Sequence, residues 1–413
     1  MTTQHSTNRD GALAGLRVLD LSRVLAGPYA TQILGDHGAH VIKVEPPIGD
    51  ETREWGPPFR EPDGPRDRRE NPSAYYLNIN RNKVGIALDL SHPEARAIVL
   101  RMLETADVLV ENFKIGTMEK WGLGYAEVLA ERFPRLIYAR ISGYGAEGPL
   151  GGMPGYDAVV QTMAGLSSTN GTPASGPVKV GVPIVDMVTG LNTVIGILMA
   201  LHARQLSGRG QFIDMSLYDA AVSILHPHTA NWLWGQRLPK LMGNAHPSLA
   251  PYDLFETATR PVFLGVGNDA QFKKACVVLG CPQISADPRF TNVALRNQNR
   301  EVLTEELAAY LSKADGVEIV QTLLEAGVPA GTLNSISEVL TDPQARERNL
   351  IWENESYKGT APPVRLSNNE PKLRHTPPDF GQHNNAVLNE FGYTDDEIAT
   401  LVKSGAVRRL DTP

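Results

Sequence analysis

Short apolar runs alternate with amphipathic stretches along the first half of the chain. Residues 16–21 have the pattern of a strand, Ala26-Gly27-Pro28 suits the first turn of a helix, and a second strand pattern covers 40–45. The same order returns as a helix pattern at 93–105 and strand patterns at 107–111 and 136–141. Because strands and helices alternate, we predict an α/β fold of the nucleotide-binding type, with a mostly parallel sheet covered by helices.

The second half of the chain begins with a strongly periodic apolar helix after Asp186. Its stripe of Val188, Leu191, Ile195 and Leu198 predicts a buried face, and the helix is expected to end near the turn at 207–210. The pattern is irregular from 231 to 251, after which strand and helix patterns resume, and a smaller second domain is predicted in this region. Further strands are predicted at 261–266 and 363–366, and further helices at 270–279, 303–311, 317–324 and 394–403.

Composition places the chain among ordinary globular proteins. It has 413 residues, 42% hydrophobic and 21% charged, with a net charge of -7. This length predicts about two domains, and the charge argues against nucleic acid as a partner. The polar residues 1–10 lack the apolar core of a signal peptide, and the longest apolar run, 194–201, is too short to span a membrane. Cys276 and Cys281 match neither a redox nor a zinc spacing, so we predict a cytoplasmic protein.

Several familiar cofactor motifs do not fit the sequence. Glu45 ends the second predicted strand as a ribose-binding carboxylate would, but the turn at 22–28 holds a single glycine where a dinucleotide requires a glycine-rich turn. His226 and His228 stand too close together, with no acidic neighbour, for a metal site. We therefore expect no nicotinamide, flavin or metal cofactor.

Asp186 is the residue with the clearest chemical potential. It directly precedes the periodic helix, so it is expected either to cap that helix or to act as a nucleophile. The amides of the first helical turn would favour the ionised carboxylate in both cases. The residues alone leave both roles open, and one side chain can serve both.

Longer motifs in a fixed order connect the chain with a known family. These motifs are Val18-Leu-Asp-Leu-Ser-Arg-Val-Leu-Ala-Gly-Pro28, Val41-Ile-Lys-Val-Glu-Pro-Pro47, Asn80-Arg-Asn-Lys83, Ala106-Asp-Val-Leu-Val-Glu-Asn-Phe113, Ile141-Ser-Gly-Tyr-Gly145, Gly155-Tyr-Asp157, Gly208-Arg-Gly-Gln211 and Gly327-Val-Pro-Ala-Gly331. With them, nearly the whole chain resembles the family III CoA-transferases, the CaiB/BaiF type.

The resemblance assigns an activity and a set of site residues. Asp186 falls at the family's catalytic aspartate, which implies transfer of coenzyme A between carboxylic acids through an aspartyl anhydride and an aspartyl-CoA thioester. Acyl-CoA is then a substrate, and no separate cofactor is implied. The positions matching the family's CoA contacts are Arg23, Ala26, Leu88, Asn112, Phe113, Lys114 and Lys120.

The same resemblance bears on the acid that is transferred. Gly243, Asn244 and His246 lie in a segment similar to the one near the acyl group in dicarboxylate-using relatives. Residues 250–255 and 265–269 also resemble the succinate–hydroxymethylglutarate enzymes more than the formyl-CoA enzymes. The expected partner of CoA is therefore a dicarboxylate such as succinate, and arginines such as Arg53 are candidates, by charge alone, for binding its distal carboxylate.

The family's architecture is implied as well. A large Rossmann-like domain would be formed by residues 1–200 and 331–413, with a linker at 201–224 and a small inserted domain at 225–330. Two chains would interlock as a homodimer.

Three other functions are weaker alternatives. The α-methylacyl-CoA racemases share the N-terminal motifs but use a histidine where this chain has Tyr156, whose side chain, with an ordinary pKa near 10, is a poor base at neutral pH. A non-enzymatic CoA-binding protein would not need Asp186. A hydrolase would need a water-activating base beside it.

Overall fold

The computed structural model describes residues 11–410, and these residues form two units. The first unit contains 11–164, 180–225 and 344–410, and the second contains 165–179 and 226–343. Residues 1–10, which carry the prediction about a signal peptide, lie outside the described residues. Both described chain ends thus belong to the first unit.

The elements are numbered here in chain order. The strands are β1 (Arg17–Asp20), β2 (His40–Glu45), β3 (Lys83–Ala87), β4 (Val108–Glu111), β5 (Ile137–Ser142), β6 (Gly171–Thr172), β7 (Gly176–Pro177), β8 (Phe212–Ser216), β9 (Tyr252–Phe255), β10 (Val262–Gly265), β11 (Ala330–Thr332), β12 (Ile351–Asn354) and β13 (Tyr357–Thr360). The α-helices are α1 (Ala26–Asp36), α2 (Ala74–Asn78), α3 (Pro93–Leu103), α4 (Thr117–Lys120), α5 (Ala130–Arg132), α6 (Asp157–Met163), α7 (Ile184–Ser207), α8 (Leu217–Ser223), α9 (His228–Gly235), α10 (Asp269–Val278), α11 (Pro282–Ala286), α12 (Val293–Gln298), α13 (Arg300–Leu311), α14 (Gly316–Glu325), α15 (Ile336–Thr341), α16 (Pro343–Glu347), α17 (Asn384–Glu390) and α18 (Asp395–Ser404).

A six-stranded parallel sheet organises the first unit. Its order is β3-β2-β1-β4-β5-β8, the order of a doubly wound fold. Alternate residues of β1 face opposite sides, so Leu19 joins one apolar cluster and Val18 joins the other. The predicted α/β fold with a large parallel sheet is confirmed. The order of strand addition reverses between β1 and β4, because β2 and β3 extend the sheet on one side of β1 and β4 and β5 extend it on the other. Ligands bind in the crevice at such a reversal point, beyond the carboxyl ends of the strands.

The C-terminal segment completes this unit. Asn384 of α17 accepts a hydrogen bond from the backbone amide of Ala87 at 2.9 Å, and Leu88 forms an isolated β-bridge with Val407. The predicted helix at 394–403 is present as α18, capped by Thr394. No strand forms at 363–366, where Pro363 and the preceding Pro362 have no amide hydrogen to donate to a sheet, and the nearby pairing is between β12 and β13.

The predicted linker at 201–224 is instead folded. These residues include the end of α7, strand β8 and helix α8. Strand β8 pairs with β5 and so forms an edge of the main sheet. Its short, partly polar sequence gives little strand signal, because the pairing partner lies about 70 residues earlier in the chain.

Helix α7 packs against α1 with a different face from the one predicted. Leu191, Ile195 and Leu198 are 43%, 48% and 42% exposed. The buried face instead contains small and polar residues such as Thr189 and Gly190. A side chain at position 190 would bring its Cβ within 2.7 Å of the Ala26 carbonyl oxygen, so glycine there permits the close approach of the two helices.

Among the described residues, α7 is the one helix long and apolar enough to cross a membrane, with a mean hydropathy of 1.9 over its best window. Val185, Val194 and Ile197 of this helix are buried in the first unit. Core helices of globular domains have the same length and composition.

The second unit has its own core. Strands β11, β10 and β9 form an antiparallel sheet in that order. Phe272, Leu303 and Leu323 belong to the apolar cluster that packs with it, and Cys276 and Cys281 are buried there as free thiols. The helices predicted at 270–279, 303–311 and 317–324 correspond to α10, α13 and α14.

Candidate active site

Two loops meet at the reversal point of the sheet. One follows β1 and the other follows β4, and these strands are parallel neighbours. The Arg23 amide donates a hydrogen bond to the Asn112 side-chain oxygen at 2.8 Å, and the Asn112 side-chain amide donates to the Arg23 carbonyl at 2.6 Å. This reciprocal pair fixes the two loops to each other.

Buried charged side chains stabilise the loop that follows β1. Lys43 donates hydrogen bonds to the Ser22 carbonyl at 3.0 Å and to Asp50 at 2.9 Å. Lys83 donates to Asp20 at 3.0 Å and to the Pro28 carbonyl at 2.9 Å. All four charged side chains are buried, so they are paired with each other rather than with solvent.

Val24 in this loop has a strained backbone. Its φ is +69°, in the left-handed region that a β-branched residue rarely adopts. Such strain persists only where surrounding contacts impose it, and it is concentrated at functional sites.

The loops border a cavity of about 340 Å³. Its wall combines both loops with Glu51, the end of β5, the segment at 152–156, Leu217 and Asp186. Five of the seven predicted CoA positions line it together with Asp186, namely Arg23, Ala26, Asn112, Phe113 and Lys114.

Two predicted CoA positions lie elsewhere. Leu88 has no exposed surface and belongs to the apolar core, so its side chain is unavailable to a ligand in this structure. Lys120 is exposed at the end of α4 and does not line the cavity. Residue type and alignment with a motif do not reveal either placement.

Arg23 is held in front of an aromatic ring. Its guanidinium lies 5.6 Å from the centroid of Phe113 and forms an ion pair of 2.8 Å with Glu51. Phe113 is in turn fixed by an edge-to-face contact with Trp121. A cation next to a partly exposed ring suits a ligand that carries both phosphate and aromatic groups.

Asp186 lies in the first turn of α7 but is not its cap. The helix begins at Ile184, Pro183 occupies the cap position, and no side chain there accepts a hydrogen bond. The capping role considered for Asp186 is therefore wrong. Asp157, at the start of α6, performs it instead, because its Oδ2 accepts hydrogen bonds from the amides of Val185 at 2.8 Å and Asp186 at 3.1 Å.

This arrangement changes the electrostatics expected for Asp186. Burial, and secondly the neighbouring Asp157, raise the pKa of Asp186 to about 7. The sequence predicted the opposite direction, because the amides at the start of α7 were expected to stabilise the Asp186 carboxylate. Two of those amides are occupied by Asp157.

Gln161 supports Asp157 from the next turn of α6. Its side-chain nitrogen donates to Asp157 Oδ1 at 2.6 Å, and its side-chain oxygen accepts from the Val180 amide at 2.8 Å. The loop that enters α7 is thereby fixed through the same pair. Asp157 stands in the Gly155-Tyr156-Asp157 motif, but no local pattern connects it with a helix residue 28 positions away.

Tyr75 is a second residue that the sequence did not single out. Burial, followed by the charges of Asp186 and Asp157, raises its pKa to about 12. Its ring contacts Trp55 edge to face, at 5.2 Å between centroids. Tyr75 lines a neighbouring cavity of about 310 Å³, whose wall also includes Pro183 and Met187 on either side of Asp186.

Arg53 cannot serve as a substrate-binding cation. Its side chain is 1% exposed and forms two hydrogen bonds of 2.7 Å with Glu45, as well as one of 3.1 Å with the Pro378 carbonyl. The suggestion from charge alone is therefore wrong, because all of this charge is used within the core.

Gly243, Asn244 and His246 belong to the second unit, in the irregular segment between α9 and β9. The Gly243 amide donates to the Gly171 carbonyl at 2.8 Å, and His246 Nδ1 accepts from the Ser248 amide at 3.0 Å. Burial lowers the pKa of His246.

Comparison with known proteins gives one consistent result. Residues 13–384 match the family described as CoA-transferase family III. The chain is 42% identical to a succinate–glutarate CoA-transferase of Agrobacterium fabrum, covering 93% of this chain and 96% of that one. It is 36% identical to a human succinyl-CoA:glutarate CoA-transferase, covering 99% and 93%. A crystal structure of a CaiB/BaiF family protein from Brucella suis is similar, with a TM-score of 0.83, 39% identity, and 92% and 100% of the two chains covered.

Proposed function

The chain belongs to CoA-transferase family III and is an enzyme of that class, and on this premise we propose that it moves coenzyme A from succinyl-CoA to a second dicarboxylate through covalent chemistry on Asp186. The observation that carries this proposal is the cavity wall. Asp186 shares it with Arg23, Asn112, Phe113 and Lys114, so a carboxylate nucleophile lies beside groups suited to a nucleotide thioester.

Coenzyme A would be held by the loops at the reversal point. Arg23 and Lys114 are suited to its phosphates, while Ala26 and Phe113 are suited to flank adenine or the pantetheine arm. Leu88 and Lys120 contribute no cavity surface, so the proposed binding mode does not include their side chains.

The reaction would proceed in four exchanges that need no net proton. A carboxylate oxygen of Asp186 attacks the acyl carbon of succinyl-CoA, the C–S bond breaks, and CoA thiolate leaves. The thiolate then attacks the Asp186 carbon of the anhydride, releasing succinate and leaving an aspartyl-CoA thioester. The acceptor carboxylate attacks that carbon and expels thiolate again. Finally, the thiolate attacks the acceptor's acyl carbon, giving the new acyl-CoA and free Asp186.

Each exchange develops an oxyanion that needs hydrogen-bond donors. The N-terminus of α1 faces the cavity at Leu25 and Ala26, with no capping side chain and no acidic residue in its first turn. We propose that backbone amides there stabilise the oxyanion. The amides of Val185 and Asp186 are less suited, because Asp157 already accepts from both.

The names of the relatives support dicarboxylates as substrates. The similar enzymes of Agrobacterium fabrum and human act, by name, on succinate or succinyl-CoA and glutarate. We propose succinyl-CoA as donor and a dicarboxylate of similar length, such as glutarate, as acceptor. Gly243, Asn244 and His246 are proposed to contact the acyl group.

A homodimer and a cytoplasmic location complete the proposal. The exposed apolar stripe of α7, with Leu191, Ile195 and Leu198, supports the homodimer, because such a continuous apolar surface favours association. The free cysteines in the second unit agree with a reducing compartment.

Product analysis tests the substrate proposal. The enzyme is incubated with succinyl-CoA and, one at a time, glutarate, malonate, acetate and butyrate, and the CoA esters are identified by mass spectrometry. We expect glutaryl-CoA to form much faster than acetyl-CoA or butyryl-CoA. A preference for the monocarboxylates would contradict the dicarboxylate assignment while leaving the CoA-transferase class intact.

A further inference from the structure

Asp157 is a buried carboxylate at the N-terminal end of α7, the helix that carries Asp186. It is 9% exposed, and its hydrogen-bond partners are the amides of Val185 and Asp186 and the side chain of Gln161. In the described part of the chain, no lysine or arginine forms an ion pair with it. Its charge is therefore balanced by dipoles alone.

The groups around Asp186 do not offset the negative charge of Asp157. Asp157 approaches from α6 and Tyr75 from α2, and neither supplies a positive charge. Among the other charged groups on the cavity wall, Arg23 is paired with Glu51, and Lys114 is exposed to solvent. Ionised Asp186 thus lies close to a second carboxylate in a partly buried site.

We propose that Asp157 is a positioning residue that fixes the backbone of Asp186 and, by like-charge repulsion, drives the free carboxylate of Asp186 toward its covalent intermediates. This inference rests on the proposed nucleophilic role of Asp186. When Asp186 becomes an anhydride or a thioester, it loses its negative charge, and the repulsion from Asp157 disappears. The free enzyme is destabilised relative to the intermediate, which favours acylation.

The raised pKa of Asp186 agrees with this geometry, because burial and then the charge of Asp157 disfavour the ionised carboxyl. The same effect makes ionised Asp186 more basic and hence a stronger nucleophile once it is deprotonated.

The test compares the wild type with Asp157→Asn, which keeps the size of the side chain and an acceptor oxygen but removes the charge. A second neutral variant, Asp157→Ser, retains a residue that commonly caps helices. Asp395→Asn, an exposed first-turn aspartate of α18, is the matched control. Circular dichroism establishes that each variant is folded.

Two readouts separate charge from structure. The first is the ratio of aspartyl-CoA thioester to free enzyme at equilibrium with fixed succinyl-CoA and succinate, measured by intact mass. Removing the Asp157 charge is expected to lower this ratio about tenfold, the equivalent of one pKa unit of differential interaction. The second is the acid limb of the kcat/KM profile, which should move about one pH unit lower.

The outcomes distinguish this inference from the proposed function. Folded Asp157→Asn or Asp157→Ser enzymes with the wild-type thioester ratio and acid limb would overturn the role of the charge. Absence of any thioester in the wild type would instead overturn the nucleophilic role of Asp186, and the inference with it. The Asp395→Asn control should match the wild type in both readouts.

Discussion

The Oδ2 atom of Asp157 accepts a hydrogen bond from the backbone amide of Asp186, 3.1 Å away. One carboxylate therefore caps the helix, and the other remains available in the cavity. Asp157 begins α6 and Asp186 lies in the first turn of α7, and this separation of roles gives different predictions for the two aspartates.

Replacing the cap should destabilise the protein more than replacing the nucleophile. Asp157→Ala removes the acceptor of two helix amides and of the Gln161 side-chain nitrogen, so we expect the free energy of unfolding to fall by about 1–2 kcal/mol. Asp186→Ala removes no capping contact, and it removes a carboxyl whose ionised form is disfavoured by burial, so it should not destabilise the protein at neutral pH. Thermal unfolding followed by circular dichroism measures the difference. Equal losses for the two variants would contradict the assignment of the cap.

Activity should decrease as the pH falls through the pKa of Asp186. The nucleophile must be ionised, and its pKa is raised to about 7, so kcat/KM should fall about tenfold per pH unit below that value. A pH–rate profile with a substrate that does not titrate between pH 5 and 9 measures it. A flat profile down to pH 5 would show that Asp186 keeps an ordinary carboxyl pKa.

The same pKa makes a prediction about stability, with the opposite dependence. A carboxyl whose pKa is raised on folding binds its proton more tightly in the folded state, so its contribution to stability decreases as the pH rises from about 4 to about 7. Asp186→Asn has no titrating carboxyl, so the variant does not lose this stability as the pH rises. The unfolding temperature of the variant relative to the wild type should therefore be higher at pH 8 than at pH 5. A difference that does not change with pH would contradict the shifted pKa.

The basic residues of the cavity should affect binding of acyl-CoA more than chemistry. Arg23→Ala and Lys114→Ala are each expected to raise KM for the acyl-CoA about tenfold with a smaller effect on kcat, because each removes a charge suited to a phosphate. Lys120→Ala should leave KM unchanged, since Lys120 does not line the cavity. Steady-state kinetics with the three variants decide the point. A rise in KM for Lys120→Ala alone would favour the binding mode implied by sequence resemblance.

The exposed stripe of α7 should be required for association. Ile195→Glu places a charge in an apolar surface that is 48% exposed in the single chain, so we expect the variant to be monomeric. Val277→Glu, at an exposed apolar position on α10 of the second unit, is the control and should leave the oligomeric state unchanged. Light scattering after size-exclusion chromatography measures both. A dimeric Ile195→Glu protein would show that another surface mediates association.

Local patterns were sufficient to predict much of the fold. Strands β1, β2, β4 and β5 are short segments rich in apolar residues, as expected for strands buried on both faces, and α3 and α18 have clear helical periods. Strand β8 was missed because its identity depends on pairing with β5, which no local pattern reports. The stripe of α7 was correctly recognised as apolar, but its exposure depends on which face the small residue Gly190 brings against α1.

The candidate site shows the same limit. Arg23, Asn112 and Phe113 were selected by resemblance, and the sheet order explains why they meet, because both loops leave the carboxyl ends of adjacent parallel strands. Asp157 contacts the Asp186 backbone from 29 residues away in the sequence, and the charge of Asp186 raises the pKa of Tyr75, so both relationships depend on the tertiary structure. Arg53 was misjudged because a charge in the sequence carries no information about its burial.

Trapping of the activated carboxyl tests covalent transfer on Asp186. Wild-type enzyme and Asp186→Ala are incubated with succinyl-CoA and hydroxylamine, which converts activated carboxyl groups to stable hydroxamates, and intact mass is followed by peptide mapping. We expect a hydroxamate at Asp186 of the wild type and no modification of the variant. An unmodified wild type, with succinyl-CoA and with a panel of other acyl-CoA donors, would contradict the anhydride mechanism.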